Sequence, residues 1–270
     1  MPIGTMCVIS RAVLDRELTI RLQARLYQEP DYLVMKATKP ISAGEQIFND
    51  YGPLPRSDLV RMYGYITDNY AQYDVVEFSH DTLLEVVGKK HNMSNKSWLK
   101  RQEQLDELGL LDDGYAIPRP EQNIKNFEDA IPGQLHMLLQ ALCTNGNYSE
   151  AIRKPKNAVT IEEAALLQAV LTKKLSEYGT SYGADEAIWK TLQSEPKSAP
   201  IPTGCNAHRY IMALQVRMGE KEILRQLIQL CQAHIQQKSD EMREGPLKRK
   251  NADGSDHHSK KIARKDKNQR

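Results

Sequence analysis

Cysteine is scarce in this chain, and long apolar runs are absent. Its four cysteines are widely separated, and none forms a Cys-x-x-Cys or Cys/His pattern typical of a zinc site. We expect no metal site and buried, reduced thiols at Cys7, Cys143, Cys205 and Cys231. No run of about 18 apolar residues suggests a membrane-spanning helix. Residues 1–9 lack the basic start and the cleavage site of a signal peptide, so we expect none.

A strong excess of one charge is also missing. The chain has 37 Lys and Arg against 35 Asp and Glu. Nine of the basic residues and three of the acidic ones lie in 248–270, which leaves 28 and 32 in 1–247 and a net charge of −4 there. This mildly acidic body argues against specific nucleic-acid binding through a basic face.

Short strand patterns dominate the first third of the chain. We predict strands at Asp31–Ala37 and Glu45–Phe48, on either side of a Pro/Gly turn. Ser57 is suited to cap a helix at 58–63, which Gly64 would end. A further strand is predicted at Tyr73–Phe78.

Helical spacing dominates after about residue 81. The strongest case is 160–178, because Thr160 and Glu163 form a capping-box pattern at its start. Further helices are predicted at 83–88, 97–108, 133–143, 206–218 and 220–237, the last two separated at Gly219. The fold class is therefore α+β.

Three tyrosines are the candidate reactive groups. Tyr51 follows a predicted strand inside the turn 49–52, and Tyr63 and Tyr65 follow the next short helix. Phenol rings brought together could line a slot for a lysine chain and a methyl cation, since ring faces attract positive charge. Alternatively, the tyrosines sit at the edge of the core with their hydroxyls in water.

The spacing of these residues resembles a known family. Residues Ala37, Ile41, Gly44, Glu45, Ile47, Tyr51 and Gly52, followed by Leu59, Tyr63, Gly64 and Tyr65, match the closing segment of SET-domain protein-lysine methyltransferases. The match is to the subgroup related to the plant Rubisco large-subunit methyltransferase, which includes fungal ribosomal lysine methyltransferases. The resemblance implies transfer of a methyl group from S-adenosyl-L-methionine to a lysine of a protein substrate, such as a ribosomal protein.

The resemblance also assigns roles to individual residues. Tyr51 would be the catalytic tyrosine, with Asn49, Tyr63 and Tyr65 lining the cofactor and lysine channel. In this subgroup a helical substrate-binding domain follows the SET domain. Arg209 and Arg217 lie in segments similar to its closing helices, and either substrate contacts or exposed helix charges would explain them.

The resemblance and the composition together imply four segments. They are an atypical segment 1–23, the C-terminal part of a SET domain at 24–78, a helical substrate-binding domain at 79–242, and a disordered basic tail at 243–270. The glycine-rich and asparagine motifs of the family are not found. We therefore expect weak cofactor binding and no activity from this chain alone. The alternative is a non-catalytic protein-binding module.

The basic tail has the spacing of a bipartite nuclear import signal. Two basic residues are followed by a ten-residue spacer and a second basic cluster, formed by Lys248, Arg249, Lys260, Lys261 and Arg264. An import receptor and a nuclear location are therefore predicted, with the cytoplasm as a further compartment. A solubilising or RNA-attracting tail is the alternative.

Overall fold

A computed structural model describes residues 23–45, 47, 51–91, 95–124, 126–144, 158–195 and 200–262, with only the backbone at 90, 91, 95 and 244–262. The chain divides into two compact units. The first comprises Met1–Val76 and Tyr178–Ile223, and the second comprises Glu77–Glu177 and Leu224–Arg270. Strands and helices together give a mixed α+β protein, as the sequence predicts.

The first unit opens with an antiparallel hairpin of β1, Ala24–Gln28, and β2, Leu33–Ala37. Its turn is closed by backbone hydrogen bonds between Glu29 and Tyr32. β2 lies inside the predicted strand 31–37, whereas β1 was not predicted. Cross-strand pairing brings Leu26 opposite Met35, and both remain about half exposed, at 50% and 43%.

The predicted strand 45–48 is wrong for its described residues, since neither Glu45 nor Ile47 is in a strand. Glu45 instead completes the preceding turn. Its carboxylate accepts hydrogen bonds from the Ser42 N–H at 2.9 Å and from the Gln23 Nε2 at 2.6 Å. One partner is three residues away and the other twenty-two, so the Glu45 side chain both closes the local turn and ties it to the residue before β1.

Helix α1, Arg56–Tyr63, begins two residues earlier than predicted and ends where Gly64 indicates. Gly64 takes the left-handed conformation, with φ of 63°, and its N–H donates to the Val60 carbonyl at 3.0 Å. Glycine adopts this conformation at little steric cost, which makes it a good helix terminator. Pro55 rather than Ser57 occupies the N-cap position, and a 3₁₀ helix, Asp68–Tyr73, follows.

The second unit combines a two-stranded sheet with helices. The sheet pairs β3, Val75–Ser79, with β4, Gly114–Pro118, and Phe78 lies against Tyr115 at 5.7 Å between ring centroids. The helices are α2, His80–His91; α3, Asn95–Glu107; α4, Gly133–Cys143; and α5, Ile161–Ser176. A second 3₁₀ helix, Phe127–Ala130, precedes α4.

Helix α5 is the centre of the second unit, because both α2 and α4 pack on it. The buried side chains recur at helical spacing, which is why one face of each helix is apolar. They include Leu83, Val87, Leu135, Leu138, Leu142, Leu166, Leu167 and Val170. The capping box predicted at Thr160 and Glu163 is confirmed, and the helix ends at Ser176, before the predicted stop.

Two features of the C-terminal helices differ from the prediction. Helix α6, Tyr182–Ser194, was not predicted, although Ser181 caps it through the Ala184 N–H. Helix α7 runs without a break from Ala207 to Ile262, so the predicted separation at Gly219 is wrong. Gly219 is buried, and a glycine inside a helix costs only about 1 kcal/mol relative to alanine.

The backbone of α7 also continues through 244–262, where the sequence predicts disorder from 243 onwards. Residues 263–270 lie outside the described part. Among the described residues, no helix has an apolar stretch long enough to cross a membrane.

Candidate functional site

Two of the three predicted tyrosines are in direct contact. The rings of Tyr51 and Tyr63 stack with their centroids 4.1 Å apart and their planes inclined by 29°. Tyr63 is at the end of α1 and remains 42% exposed, while Tyr51 is half-buried. The structure therefore brings together two residues that are twelve positions apart, and leaves part of the pair open to solvent.

Tyr65 belongs to the same cluster. Burial raises the pKa of its phenol, a hydrogen bond with Thr67 opposes that rise, and the nearby Tyr51 adds to it. A phenol with a raised pKa stays protonated at neutral pH, so it can donate a hydrogen bond. Tyr65 is thus near enough to Tyr51 to interact with it electrostatically, while Asn49 lies outside the described residues.

The backbone around Tyr51 is also fixed. Gly52 follows it with φ of 79°, a conformation that side-chain-bearing residues rarely adopt. The Leu54 N–H donates back to the Gly52 carbonyl at 2.8 Å, so the chain turns immediately after Tyr51. On its other side, the Tyr51 N–H donates to the hydroxyl of Tyr70 at 3.4 Å.

Helix α1 also holds a buried ion pair that the sequence did not reveal. The guanidinium of Arg56 donates from Nη2 and Nε to Asp74 Oδ2, at 2.6 and 2.9 Å, and from Nη1 to Asp68 Oδ1 at 2.9 Å. The Arg56 backbone N–H also donates to Asp74 Oδ1, at 3.1 Å. The side chains of Arg56 and Asp74 are both buried.

One signal in the sequence could have identified Arg56. It is the first residue of α1, where the positive end of the helix dipole disfavours a cation. An arginine at that position needs a carboxylate partner to be stable. The partners come from beyond the helix, so their identity depends on the tertiary structure.

The predicted substrate contacts have different surroundings. Arg209 is exposed, and its backbone N–H is bound by the Asn206 side chain at 3.2 Å. Arg217 donates from Nη2 and Nε to the two oxygens of Asp185, at 2.6 and 2.9 Å. Arg217 is therefore neither an exposed helix charge nor an unpaired cation, because its partner is a buried carboxylate on α6.

Lys221 shares that carboxylate and is fully buried. Its Nζ donates to Asp185 Oδ2 at 2.5 Å, to the Thr180 carbonyl at 2.6 Å and to Thr180 Oγ1 at 3.0 Å. It also lies 5.1 Å from the ring centroid of Tyr178. The three donors of the ammonium are therefore satisfied, which explains a lysine without exposure as a structural group.

The basic residues of the tail and the cysteines are the remaining candidates. The side chains of Lys248, Arg249, Lys260 and Lys261 and the whole of Arg264 lie outside the described residues. Cys231 is buried and Cys143 is partly buried, but Cys205 is exposed, which corrects the expectation of buried thiols there. Cys7 is not described. Within the described ranges, no cluster of His, Cys, Asp and Glu is suited to hold a metal ion.

Part of the helical region is similar to a known protein family. Residues 99–224 match the family model described as Rubisco LSMT substrate-binding. Human N-lysine methyltransferase SETD6 is 25% identical over 230 residues, which cover 77% of this chain and 45% of the human protein. The corresponding protein of Xenopus laevis is 24% identical over 237 residues, covering 78% of this chain and 48% of the relative.

A yeast relative is similar over a shorter stretch. Ribosomal lysine N-methyltransferase 4 of Saccharomyces cerevisiae is 32% identical over 83 residues, or 31% of this chain and 17% of the yeast protein. The chain thus spans less than half the length of the relatives it matches. Residues 99–224 are thus similar to the Rubisco LSMT substrate-binding family, and the chain is similar to proteins named as lysine N-methyltransferases.

Proposed function

We propose that this chain belongs to a protein-lysine N-methyltransferase. The observation that carries the proposal is the contact between Tyr51 and Tyr63, with Tyr65 beside them. The relatives named as N-lysine methyltransferases support it. Because the chain matches less than half of each relative, the activity is proposed for the whole protein that contains this chain.

The tyrosine cluster fits one end of S-adenosyl-L-methionine. Stacked aromatic rings with an exposed face attract a sulfonium cation, and Tyr51, Tyr63 and Tyr65 would lie around that end. The cofactor supplies the methyl group. The phenols would orient the incoming lysine amine and keep it desolvated, which favours its neutral, nucleophilic form.

The role of Tyr51 can be tested by removing one oxygen atom. In the methyltransferase that contains this chain, Tyr51→Phe is expected to lower kcat for lysine methylation by about a hundredfold or more, because a positioned hydroxyl would be lost at the reacting centre. Tyr32→Phe is the matched control, since Tyr32 is 72% exposed on the hairpin turn. Transfer of a labelled methyl group to a lysine-containing protein is the measurement, and equal rates for both variants would refute the assignment.

A binding module is the second candidate function. It is favoured by the Rubisco LSMT substrate-binding domain, which occupies residues 99–224 and implies a protein partner. We expect this chain alone to bind S-adenosyl-L-methionine weakly and to bind its protein substrate through the helical part. Calorimetry of this chain with S-adenosyl-L-methionine tests the first expectation, which micromolar affinity would contradict. In the whole protein that contains this chain, substrate binding without methyl transfer would favour the module.

The substrate and location are finer parts of the same proposal. A ribosomal protein is the proposed substrate, supported by the yeast relative's name and its 32% identity over 83 residues. Nuclear import through the clusters at 248–249 and 260–264 is proposed from their spacing. A fluorescent fusion with Lys260, Lys261 and Arg264 changed to alanine should lose nuclear enrichment, and unchanged enrichment would exclude this signal.

A further inference from the structure

Tyr51 contacts residues of two different elements. The end of α1 provides Tyr63, whose ring stacks on the Tyr51 ring at 4.1 Å. The 3₁₀ helix 68–73 provides Tyr70, whose hydroxyl accepts the backbone N–H of Tyr51 at 3.4 Å. The position of the Tyr51 phenol therefore depends on how these two elements sit relative to each other.

Arg56 connects those two elements. It is the first residue of α1, Asp68 is the first residue of the 3₁₀ helix, and Asp74 follows that helix directly. One guanidinium thus reaches both ends of the 3₁₀ helix, with hydrogen bonds of 2.9 Å to Asp68 and 2.6 Å to Asp74. The planar guanidinium presents several donors in a fixed geometry, so it restrains direction as well as distance.

The energetic cost of this arrangement indicates a role beyond stability. Arg56 and Asp74 are buried, and taking both charges out of water offsets much of their attraction. The cation also stands at the unfavourable end of the helix dipole. Asp58 and Arg61 on the same helix pair at 2.9 Å in an exposed setting, which is the ordinary way to place such charges.

We propose that Arg56 and Asp74 are positioning residues for Tyr51. By tying α1 to the 3₁₀ helix, they fix the ring of Tyr63 and the hydroxyl of Tyr70 relative to each other and to the Tyr51 segment that both contact. The proposal concerns the orientation of the phenol and rests on the proposed function for its catalytic meaning. A lysine at position 56 would keep the charge but lose the fixed geometry.

The test reads the tyrosine rings directly in this chain without any cofactor. NMR of isotope-labelled tyrosines, assigned with Tyr51→Phe and Tyr63→Phe, reports the ring-current shift that each ring produces on the other. Arg56→Lys should remove most of this shift. Arg61→Lys, an exposed change on the same helix, should leave it unchanged, and thermal unfolding of each variant shows whether the fold is kept.

Asp68→Ala is the second variant, in case Arg56→Lys does not fold. Asp68 is 59% exposed in its side chain, and the change removes only one of the two connections. A partial loss of the ring-current shift in folded Asp68→Ala supports the proposal. Unchanged shifts in any folded variant at 56 or 68, or an equal change in Arg61→Lys, would overturn it. The experiment measures no methyl transfer, so its outcome does not depend on whether the proposed function is correct.

Discussion

At the scale of single residues, Asp185 is the carboxylate with which both Arg217 and Lys221 pair. Its buried carboxylate accepts hydrogen bonds from Arg217, Lys221 and Thr180. Burial by itself raises the pKa of this carboxyl, but those hydrogen bonds outweigh the effect and hold the pKa below its ordinary value of 3.8. The ionised form is therefore the one that the folded protein stabilises.

Replacing Asp185 by asparagine should reduce the free energy of unfolding by about 3–5 kcal/mol at neutral pH, because Lys221 would remain buried without a counter-charge. A lowered pKa stabilises the fold above the unfolded-state value and ceases to do so as pH falls through the folded-state value. The difference between the two proteins should therefore shrink below about pH 3.8. Denaturant unfolding from pH 7 to pH 3 measures it.

Asp58→Asn serves as the matched control for that change. Asp58 pairs with Arg61 at the surface, so its replacement should alter stability by less than about 0.5 kcal/mol. If both variants lost a similar free energy of unfolding, the burial of Asp185 would not determine how much its carboxylate stabilises the fold.

At the scale of elements, α5 has the best-defined start. Thr160 Oγ1 accepts the Glu163 N–H at 3.2 Å, and Glu163 Oε2 accepts the Thr160 N–H at 3.0 Å. Glu163 also lies 3.5 Å from His136 on α4. The cap thus satisfies donors at the beginning of the helix on which α2 and α4 pack.

Thr160→Ala should lower the free energy of unfolding by about 1 kcal/mol, because the Glu163 N–H loses its acceptor. Thr172→Ala on the same helix provides the comparison. The Thr172 hydroxyl donates to the Gln168 carbonyl on an exposed face, where alanine is expected to be neutral or slightly stabilising. Urea unfolding of both variants measures the difference, and equal values would argue against a capping role.

At the scale of the whole molecule, two cysteines report on folding in opposite ways. Burial raises the pKa of the Cys231 thiol to about 12, whereas Cys205 is exposed. The thiolate is the reactive form, so a thiol that is both covered and protonated reacts only when its surroundings open.

In the native protein at neutral pH, a maleimide should label Cys205 within minutes, while labelling of Cys231 should require unfolding of its unit. Mass spectrometry of the digested protein measures each site, with and without urea. Cys205→Ser provides the control, because it should abolish the fast label at that site and leave the labelling of Cys231 unchanged. Equal labelling rates at both cysteines in native buffer would contradict the burial of Cys231.

Local signals made several elements predictable. Gly64 as a terminator and the Thr160–Glu163 cap depend on neighbours within a few residues, so their pattern is visible in the sequence. The break predicted at Gly219 was wrong, because it also relied on a local signal alone. A glycine is tolerated inside α7, where residues on either side of it in the helix are buried. β1 and α6 were missed, because a hairpin partner and a helix after a short loop leave weak local patterns.

The sequence by itself determined the α+β class, the tyrosine motif of Tyr51, Tyr63 and Tyr65, and the resemblance that the comparisons then confirmed. The tertiary structure decided what those tyrosines contact. Only folding shows that the Tyr51 and Tyr63 rings stack, and that Arg56 pairs with Asp74 eighteen positions away. Motif spacing is fixed by short-range geometry, whereas a buried ion pair forms between residues that are distant in the chain and that no local rule relates.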